Sequence, residues 1–190
     1  TGYSLAMKDL QLRGSGSILG DIQSGFIANV GLNIFNKYVI DSIEGKSEDK
    51  SSILETEIKL DCYWGSSIPK SYIDADSERI DIYKRLEHSK PNKVDEIKNE
   101  IIDRFGNVPE ITDNLFSTAK IRSILQTKEI QRCKIREFQV ELFPVDLTED
   151  LKLSIEKYDK RFIFRNKRLV LNFQHSLTPE STYELLDSIP

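Results

Sequence analysis

The sequence predicts an α+β fold, in which a small, largely antiparallel sheet and a group of helices follow a helical segment with a glycine-rich loop. Three observations lead to this class. Residues 55–64 alternate apolar and charged side chains, as a half-buried strand does. Residues 77–125 repeat apolar side chains at helical spacing, and residues 161–173 contain a hairpin pattern. Helices and strands are therefore segregated along the chain, which favours α+β over a parallel α/β sheet.

The first quarter of the chain is predicted to be a separate segment. Residues 3–12 predict a short helix, and a second helix extends from Asn29 to Glu44 before Gly45. The stretch "KSEDKSS", residues 46–52, has no apolar side chain and is typical of a solvated linker. We therefore place residues 1–45 in an N-terminal segment, 46–52 in a linker and 53–190 in one C-terminal domain.

Three helices are predicted after the first strand. Ser77 is the expected cap of the first helix. The second helix extends from about Asn92 to Phe105 and ends at Gly106. Pro109 is expected in the first turn of the third helix. The three apolar stripes consist of Ile80, Tyr83 and Leu86, of Val94, Ile97, Ile101 and Phe105, and of Ile111, Leu115, Ala119, Ile121 and Leu125.

The last third of the chain mixes strands and helices. "QRCKIREFQVELF", residues 131–143, predicts one or two strands, and Thr148 to Tyr158 predicts a short helix. "RFIFRNKRLVLNF" predicts a hairpin that turns at Asn166-Lys167. Thr178-Pro179 is the expected start of a terminal helix.

Composition limits the function. The chain has 190 residues, a net charge of −4 and a pI of about 5.4, so it offers no overall electrostatic attraction for duplex DNA. Cys62 and Cys133 form no CxxC pattern, which favours a reducing cytoplasm. No apolar run reaches the roughly 20 residues of a membrane span. The first residue is Thr1, and we expect a piece of a longer protein.

Motifs for catalysis and cofactor binding are incomplete. Gly45-Lys46-Ser47 resembles the end of a phosphate-binding loop, but Ile40 stands where that loop needs glycine. Gly14-x-Gly16 lacks the third glycine of the dinucleotide fingerprint. His88 and His175 have no metal-ligating residue at suitable spacing. We expect no catalytic residue, no metal and no cofactor in this chain.

A basic segment at residues 157–168 contains interleaved aromatic side chains. Such segments can bind single-stranded nucleic acid. The candidate contacts are Lys160, Arg161, Arg165, Lys167 and Arg168. The competing interpretation is an amphipathic hairpin whose charges lie in water, and the acidic composition of the whole chain favours it.

An acidic group lies on the second predicted helix. An advance of roughly 100° per residue places Glu96, Glu100 and Asp103 opposite the apolar stripe. Two interpretations remain, a solvated helix face or a docking surface for a basic partner. Physical reasoning alone favours the solvated face, because most charged helix faces only contact water.

The glycine-rich stretch "AMKDLQLRGSGSILGDIQSG", residues 6–25, resembles the TRG motif of RecG-type DNA translocases and transcription-repair coupling factors. In these proteins the motif couples ATP hydrolysis in two RecA-like lobes to movement along duplex DNA. The resemblance implies motor coupling for Arg13, Gly14, Gly16, Gly20 and Gln23.

Two further stretches separate the families. "IPKSYIDADSERIDIYKRL" and "EIKNEIIDRFGNVPE" resemble the C-terminal regulatory domain that coupling factors have and RecG lacks. The resemblance implies a domain that docks on a UvrB-like module and masks UvrA binding, within a cytoplasmic, ATP-dependent translocase that displaces stalled RNA polymerase. It also implies that Glu100 and Asp103, with Glu96, form the docking face, and it therefore favours docking over the solvated face. The alternative is a nucleic-acid-contacting accessory domain of a RecG-like helicase that uses the basic hairpin.

Overall fold

A computed structural model describes residues 58–190, and this part of the chain contains five strands and five helices. The strands are β1 (Lys59–Cys62), β2 (Arg132–Arg136), β3 (Gln139–Phe143), β4 (Ile163–Arg165) and β5 (Arg168–Asn172). The helices are α1 (Asp76–Glu87), α2 (Pro91–Phe105), α3 (Glu110–Thr127), α4 (Glu149–Ile155) and α5 (Pro179–Ser188). The predicted α+β class is confirmed. The helices predicted at 3–12 and 29–44 and the linker at 46–52 lie outside the described residues.

The sheet has the strand order β1-β2-β3-β5-β4. β1 pairs with β2 in parallel, and the other three pairs are antiparallel, as the prediction of a largely antiparallel sheet required. β1 is shorter than the alternating stretch that predicted it. Trp64 has left the strand, because its indole N–H donates to the Thr118 hydroxyl of α3 at 3.1 Å.

The predicted hairpin at residues 161–173 is present, and the segment predicted as one or two strands forms a second hairpin. β2 and β3 pair from Arg132↔Phe143 to Arg136↔Gln139 around a two-residue turn. β4 and β5 turn at Asn166-Lys167, where φ is 51° and 61°. Two consecutive positive φ angles are the signature of a type I′ turn, which matches the twist of the flanking strands. The hairpin forms without glycine, although glycine would favour it further.

The start of α1 differs from the prediction. The N-cap is Ala75, which supplies no side-chain cap, and Ser77 lies inside the first turn. Buried Arg79 ties this end down instead. Its guanidinium donates to the carbonyl oxygen of Ile73 at 2.7 Å and contacts the Asp76 carboxylate. The start of α1 is therefore stabilised by the Arg79 side chain and not by a capping side chain, which the local sequence pattern did not predict.

Helices α2 and α3 follow the predicted order with two corrections. Gly106 ends α2 at φ 81°, as expected for a C-terminal glycine. Pro109 occupies the N-cap position of α3 rather than its first turn. Ile111 is 38% exposed and does not join the apolar stripe. The buried position belongs to Thr112, whose hydroxyl donates to the Ser67 carbonyl oxygen at 2.9 Å.

The two later helices begin at the predicted threonines. The Thr148 hydroxyl accepts from the Leu151 N–H at 3.2 Å at the start of α4. Thr178 forms a capping box with Ser181 at the start of α5. Helix α4 ends at Ile155, three residues before the predicted end.

The described residues pack into two apolar clusters. The sheet core joins the inner face of the sheet to α4, α5 and the C-terminal half of α3. The helical cluster joins α1, α2 and the N-terminal half of α3. Helix α3 therefore belongs to both, with Leu115 and Phe116 in one cluster and Ile121 and Leu125 in the other.

Candidate interdomain docking surface

Helix α2 presents the predicted acidic face because its opposite side is apolar. Val94, Ile97 and Ile101 are each at most 1% exposed and pack in the helical cluster. Phe105, the last residue of the predicted stripe, is half-buried and lies beside Tyr72 with ring centroids 6.3 Å apart. The burial of this stripe fixes the rotation of α2 about its own axis, and so decides which charges face outward.

Ion pairs hold one flank of α2 against α3. Asp95 Oδ1 lies 2.6 Å from Lys120 Nζ, and Lys98 contacts the Asp113 carboxylate. The charges of these four side chains are therefore paired with one another within the domain. They leave the side of α2 that is farthest from the core as the free surface.

Glu100 belongs to the other flank, which faces α1. Its carboxylate accepts two hydrogen bonds from the guanidinium of Arg85, one of them at 3.0 Å, and lies 3.6 Å from Arg104. The hydrogen bond from Arg85 lowers the pKa of Glu100, against a smaller opposing effect of burial. Arg104 also donates to Glu78 of α1 at 2.7 Å. Glu100 thus links α1 to α2.

The outer arc of α2 consists of Glu96, Asn99 and Asp103, which are all exposed. Glu96 pairs with Lys93 of the same helix at 2.5 Å. Within residues 58–190, Asp103 has no Lys or Arg side chain at ion-pair distance. Ile102, at the border of the arc, is 36% exposed. The outer arc therefore combines one uncompensated carboxylate with an apolar neighbour.

The three acidic residues of the sequence prediction thus occupy different environments. Glu96 and Asp103 face solvent as predicted, whereas Glu100 is turned toward α1. Sequence reasoning missed Arg85 and Ile102. An arc calculation on α2 alone could not find Arg85, because the contact depends on how α1 packs against α2. Ile102 carries a usable signal, since it is an apolar residue outside the stripe of an amphipathic helix.

The five basic residues that were predicted to contact nucleic acid also differ from one another in their environments. Lys167 pairs with Asp146 at 2.9 Å, and Arg168 contacts the Glu141 carboxylate. Lys160, Arg161 and Arg165 are exposed, and none of them has an ion pair with another described residue. Two of the five cations therefore have an acidic partner inside the domain that compensates them in part.

The predicted motor-coupling residues belong to the N-terminal segment of the sequence. Arg13, Gly14, Gly16, Gly20 and Gln23 fall outside the described residues. In the part that is described, no group of three or more His, Cys, Asp or Glu side chains is arranged to hold a metal ion. The helices between residues 58 and 190 include none with the length and apolar character needed to span a bilayer.

Comparison with known proteins identifies the domain. Residues 64–157 match the family model of the TRCF domain. The transcription-repair-coupling factor of Bacillus subtilis is 32% identical over 135 residues, which is 70% of this chain and 12% of that protein. The corresponding protein of Buchnera aphidicola is 38% identical over 128 residues, which is 65% of this chain and 16% of that protein. The chain therefore spans less than a fifth of the length of these relatives.

A solved structure shares the fold. The crystal structure of a C-terminal domain of transcription-repair coupling factor superposes with a TM-score of 0.57 at 20% identity, covering 72% of this chain and 92% of that one. At this identity the likeness shows a shared fold. The chain belongs to the transcription-repair-coupling factor family, and residues 64–157 are its TRCF domain.

Proposed function

We propose that this domain regulates a larger coupling factor by docking on a UvrB-like module and masking the surface that binds UvrA. The observation that carries the proposal is the outer arc of α2, where Asp103 has no partner among the described residues and Ile102 is exposed beside it. A carboxylate with an apolar neighbour suits a basic residue on a partner. Family membership supports the regulatory setting.

The three acidic residues have different roles in this proposal. Asp103 supplies the uncompensated charge at the centre of the contact. Glu96 lies on the same arc and can exchange Lys93 for a cation of the partner. Glu100 holds α2 on α1 through Arg85, and so fixes the direction in which the arc faces.

Such a contact is suited to reversible masking. Exposed charge pairs contribute about 1 kcal/mol or less each. A tethered partner nevertheless stays bound, since a flexible connection raises its effective concentration into the millimolar range. The same weakness lets a conformational change in the parent protein release the domain.

The wider setting follows from the family and the first quarter of the sequence. We infer a cytoplasmic parent protein that moves along duplex DNA at the cost of ATP, displaces stalled RNA polymerase and recruits UvrA in DNA repair. Arg13 and Gln23, with the glycines around them, couple the RecA-like lobes to this movement. No catalytic residue is assigned to the chain itself.

The alternative function is a nucleic-acid contact through the basic hairpin. It is supported by Lys160, Arg161 and Arg165, which are exposed and without an internal acid among the described residues. The pairing of Lys167 with Asp146 and of Arg168 with Glu141 weakens it, because both charges are already partly compensated.

The docking proposal is tested with Asp103→Lys in the 190-residue chain. Binding to the separate UvrB-like module of the same parent is measured by calorimetry. We expect about a tenfold loss of affinity, since the variant places a cation against a cation. Glu184→Lys on α5 is the matched control, because it makes the same charge change at an exposed helix position away from α2.

The full-length parent provides the second readout. Asp103→Lys should increase its binding to UvrA, whereas Glu184→Lys should not. Unchanged affinity of the Asp103 variant for the UvrB-like module would remove the outer arc as the docking surface. An equal loss in both variants would show that only overall charge matters.

A further inference from the structure

One face of the sheet is covered by no helix of residues 58–190. All helices of the described part that pack on the sheet contact its inner face, where Leu60, Cys133, Val140 and Leu171 are buried. Side chains alternate across a strand, so the residues between these point the other way. We call the surface that they form the outer sheet face.

The outer sheet face is basic although the chain is acidic. Its six basic residues are opposed by two acidic residues, Asp61 and Glu141, in the described strands. The basic residues are Lys59, Arg132, Lys134, Arg136, Arg165 and Arg168. The chain as a whole has a net charge of −4. Positive charge is therefore concentrated on one side of the molecule.

Two of these cations have an acidic partner within residues 58–190. Arg136 pairs with Asp61 at 2.5 Å, and Arg168 contacts Glu141. Lys59, Arg132, Lys134 and Arg165 are exposed and form no ion pair with other described residues. This excess of positive charge destabilises the folded domain slightly, because the cations repel one another. An anionic partner would reduce that repulsion.

The strand register arranges much of this charge in a line. Lys59 lies beside Arg132, and Arg132 beside Phe143. Arg168 lies beside Arg165 at the other edge, and the register that pairs Leu142 with Leu169 places Phe143 next to Arg168. Five strands about 4.8 Å apart make this row about 19 Å long.

The row also contains a flat surface. The Arg132 guanidinium lies over the Phe143 ring, 5.7 Å from its centroid. A guanidinium plane stacked on an aromatic ring can itself stack on a nucleobase. Apolar anchors for a protein partner are few, because Val170 is only 8% exposed and Ile163 lies at the edge of the face. Charge and stacking thus favour a nucleic acid over an acidic peptide.

We propose that the outer sheet face binds single-stranded nucleic acid, with the row from Lys59 to Arg165 following the phosphate backbone and Arg132 on Phe143 supporting a base. A single strand fits better than a duplex, since the flat face offers no helix or loop that could enter a groove. This surface shares Arg165 and Arg168 with the basic hairpin of the alternative function, but its other cations belong to β1 and β2, and none of its residues lies on the outer arc of α2. The proposal does not depend on docking to a UvrB-like module.

The test uses the 190-residue chain and a fluorescent 20-nucleotide oligo(dT). Arg132→Ala with Lys134→Ala removes two exposed cations from β2. The matched control, Lys70→Ala with Lys93→Ala, removes two exposed, ion-paired lysines from the helical part. We expect the β2 variant to bind about tenfold more weakly, and the slope of log affinity against log salt to fall by about 1.4. The control should bind as the wild type does.

The remaining measurements identify the partner. Phe143→Leu should weaken oligonucleotide binding and leave the salt slope unchanged, because it removes the stacking support and no charge. Polyglutamate of equal charge should compete poorly. An equal loss in the β2 variant and its control overturns the proposal, and so does polyglutamate that competes as well as oligo(dT). Tighter binding of a 20-base-pair duplex than of the single strand overturns it as well.

Discussion

The helical cluster and the sheet core are similar inside and different outside. Each has an apolar interior, with Ile101 and Ile135 both at 0% exposure. On the helical cluster, most charged side chains that flank α2 are matched by charges of α1 or α3. On the outer sheet face, four cations have no acidic partner in the part of the chain that the structure describes.

This difference distinguishes charged side chains that form ion pairs within the domain from those that are available to a binding partner. The pairs around α2 orient one helix against its neighbours, and they leave Asp103 as the exception. On the outer sheet face, Arg136 and Arg168 pair with acidic residues and Arg132 packs on the Phe143 ring, whereas the other cations have no ion pair with a described residue. A charge without an internal partner is therefore the better guide to function here than a charged stretch of sequence.

The largest expected effect tests whether the two interiors are independent. Ile101→Ala in α2 and Ile135→Ala in β2 should each lower the free energy of unfolding by about 2–5 kcal/mol, through lost burial and a residual cavity. Because α3 belongs to both clusters, each variant should still unfold in one transition. Urea titrations followed by circular dichroism and by Trp64 fluorescence check this. Separate midpoints for the two probes would contradict the shared helix.

The next effect distinguishes the two interiors by pH. Burial raises the pKa of Tyr83 in the helical cluster to about 12, and that of Cys62 in the sheet core to about 12. In both cases the neutral form is the one the fold favours. Stability is therefore complete below the unfolded-state pKa and is lost as pH rises toward 12.

The onset of the loss should differ between the two groups. It should begin near pH 8.5 for the thiol and near pH 10 for the phenol, on the order of 3 kcal/mol for each by pH 12. Unfolding titrations from pH 8 to 12 measure this. Cys62→Ala should reduce the loss that begins near pH 8.5 without abolishing it, because burial also raises the pKa of the Cys133 thiol, and Tyr83→Phe should reduce only the later part. Identical profiles for wild type and both variants would contradict the assignment.

A smaller effect concerns the pairs that flank α2. Glu100→Gln should lower the free energy of unfolding at pH 7 by about 0.5 kcal/mol, since the Glu100–Arg85 pair is partly exposed. The pKa of Glu100 is lowered in the folded state, so this contribution is present above the unfolded-state pKa of about 4.3 and is lost as pH falls below it. Melting curves at pH 7 and pH 3 should differ from wild type only at pH 7. Glu184→Gln serves as the control and should match wild type at both.

The smallest effect is expected on the outer sheet face. Arg132→Ala with Lys134→Ala should change the free energy of unfolding by no more than about 0.5 kcal/mol, because neither cation has an internal acid among the described residues. Thermal melts in low and high salt give the measurement. A loss of several kcal/mol would mean that these residues build the sheet, and the contrast with the helical cluster would disappear.

Much of the fold was predictable because local patterns decide it. The stripe of α2, the glycine after it and the threonine caps of α4 and α5 appear where the sequence places them. The Asn166-Lys167 turn was also found, since two short strands on either side leave little choice of register. The errors lie at the ends of elements: β1 and α4 end earlier than predicted, and at two helix starts Arg79 and Thr112 take roles that only tertiary contacts reveal.

The candidate sites were less predictable for the same physical reason. An arc drawn on α2 shows which side faces outward, but whether a carboxylate there has a partner depends on a neighbouring helix. Glu100 and Asp103 are both carboxylates and lie three positions apart, yet Arg85 reaches only Glu100. The outer sheet face draws its cations from strands far apart in sequence, from Lys59 to Arg168. No short stretch of the sequence therefore contains all the residues of the outer sheet face.

Helix α3 also decides how the domain responds to mechanical load. Its 18 residues extend about 27 Å and have one half in each apolar cluster. A force applied to α2 therefore passes through Ile101 into α3 and from there to the sheet, without a flexible joint between them. Among the strands of residues 58–190 we expect the weakest connection at the far edge, where β4 has three residues and one neighbouring strand. A domain pulled at α2 should detach from its partner as one body, and should begin to unravel at β4 if the pull continues.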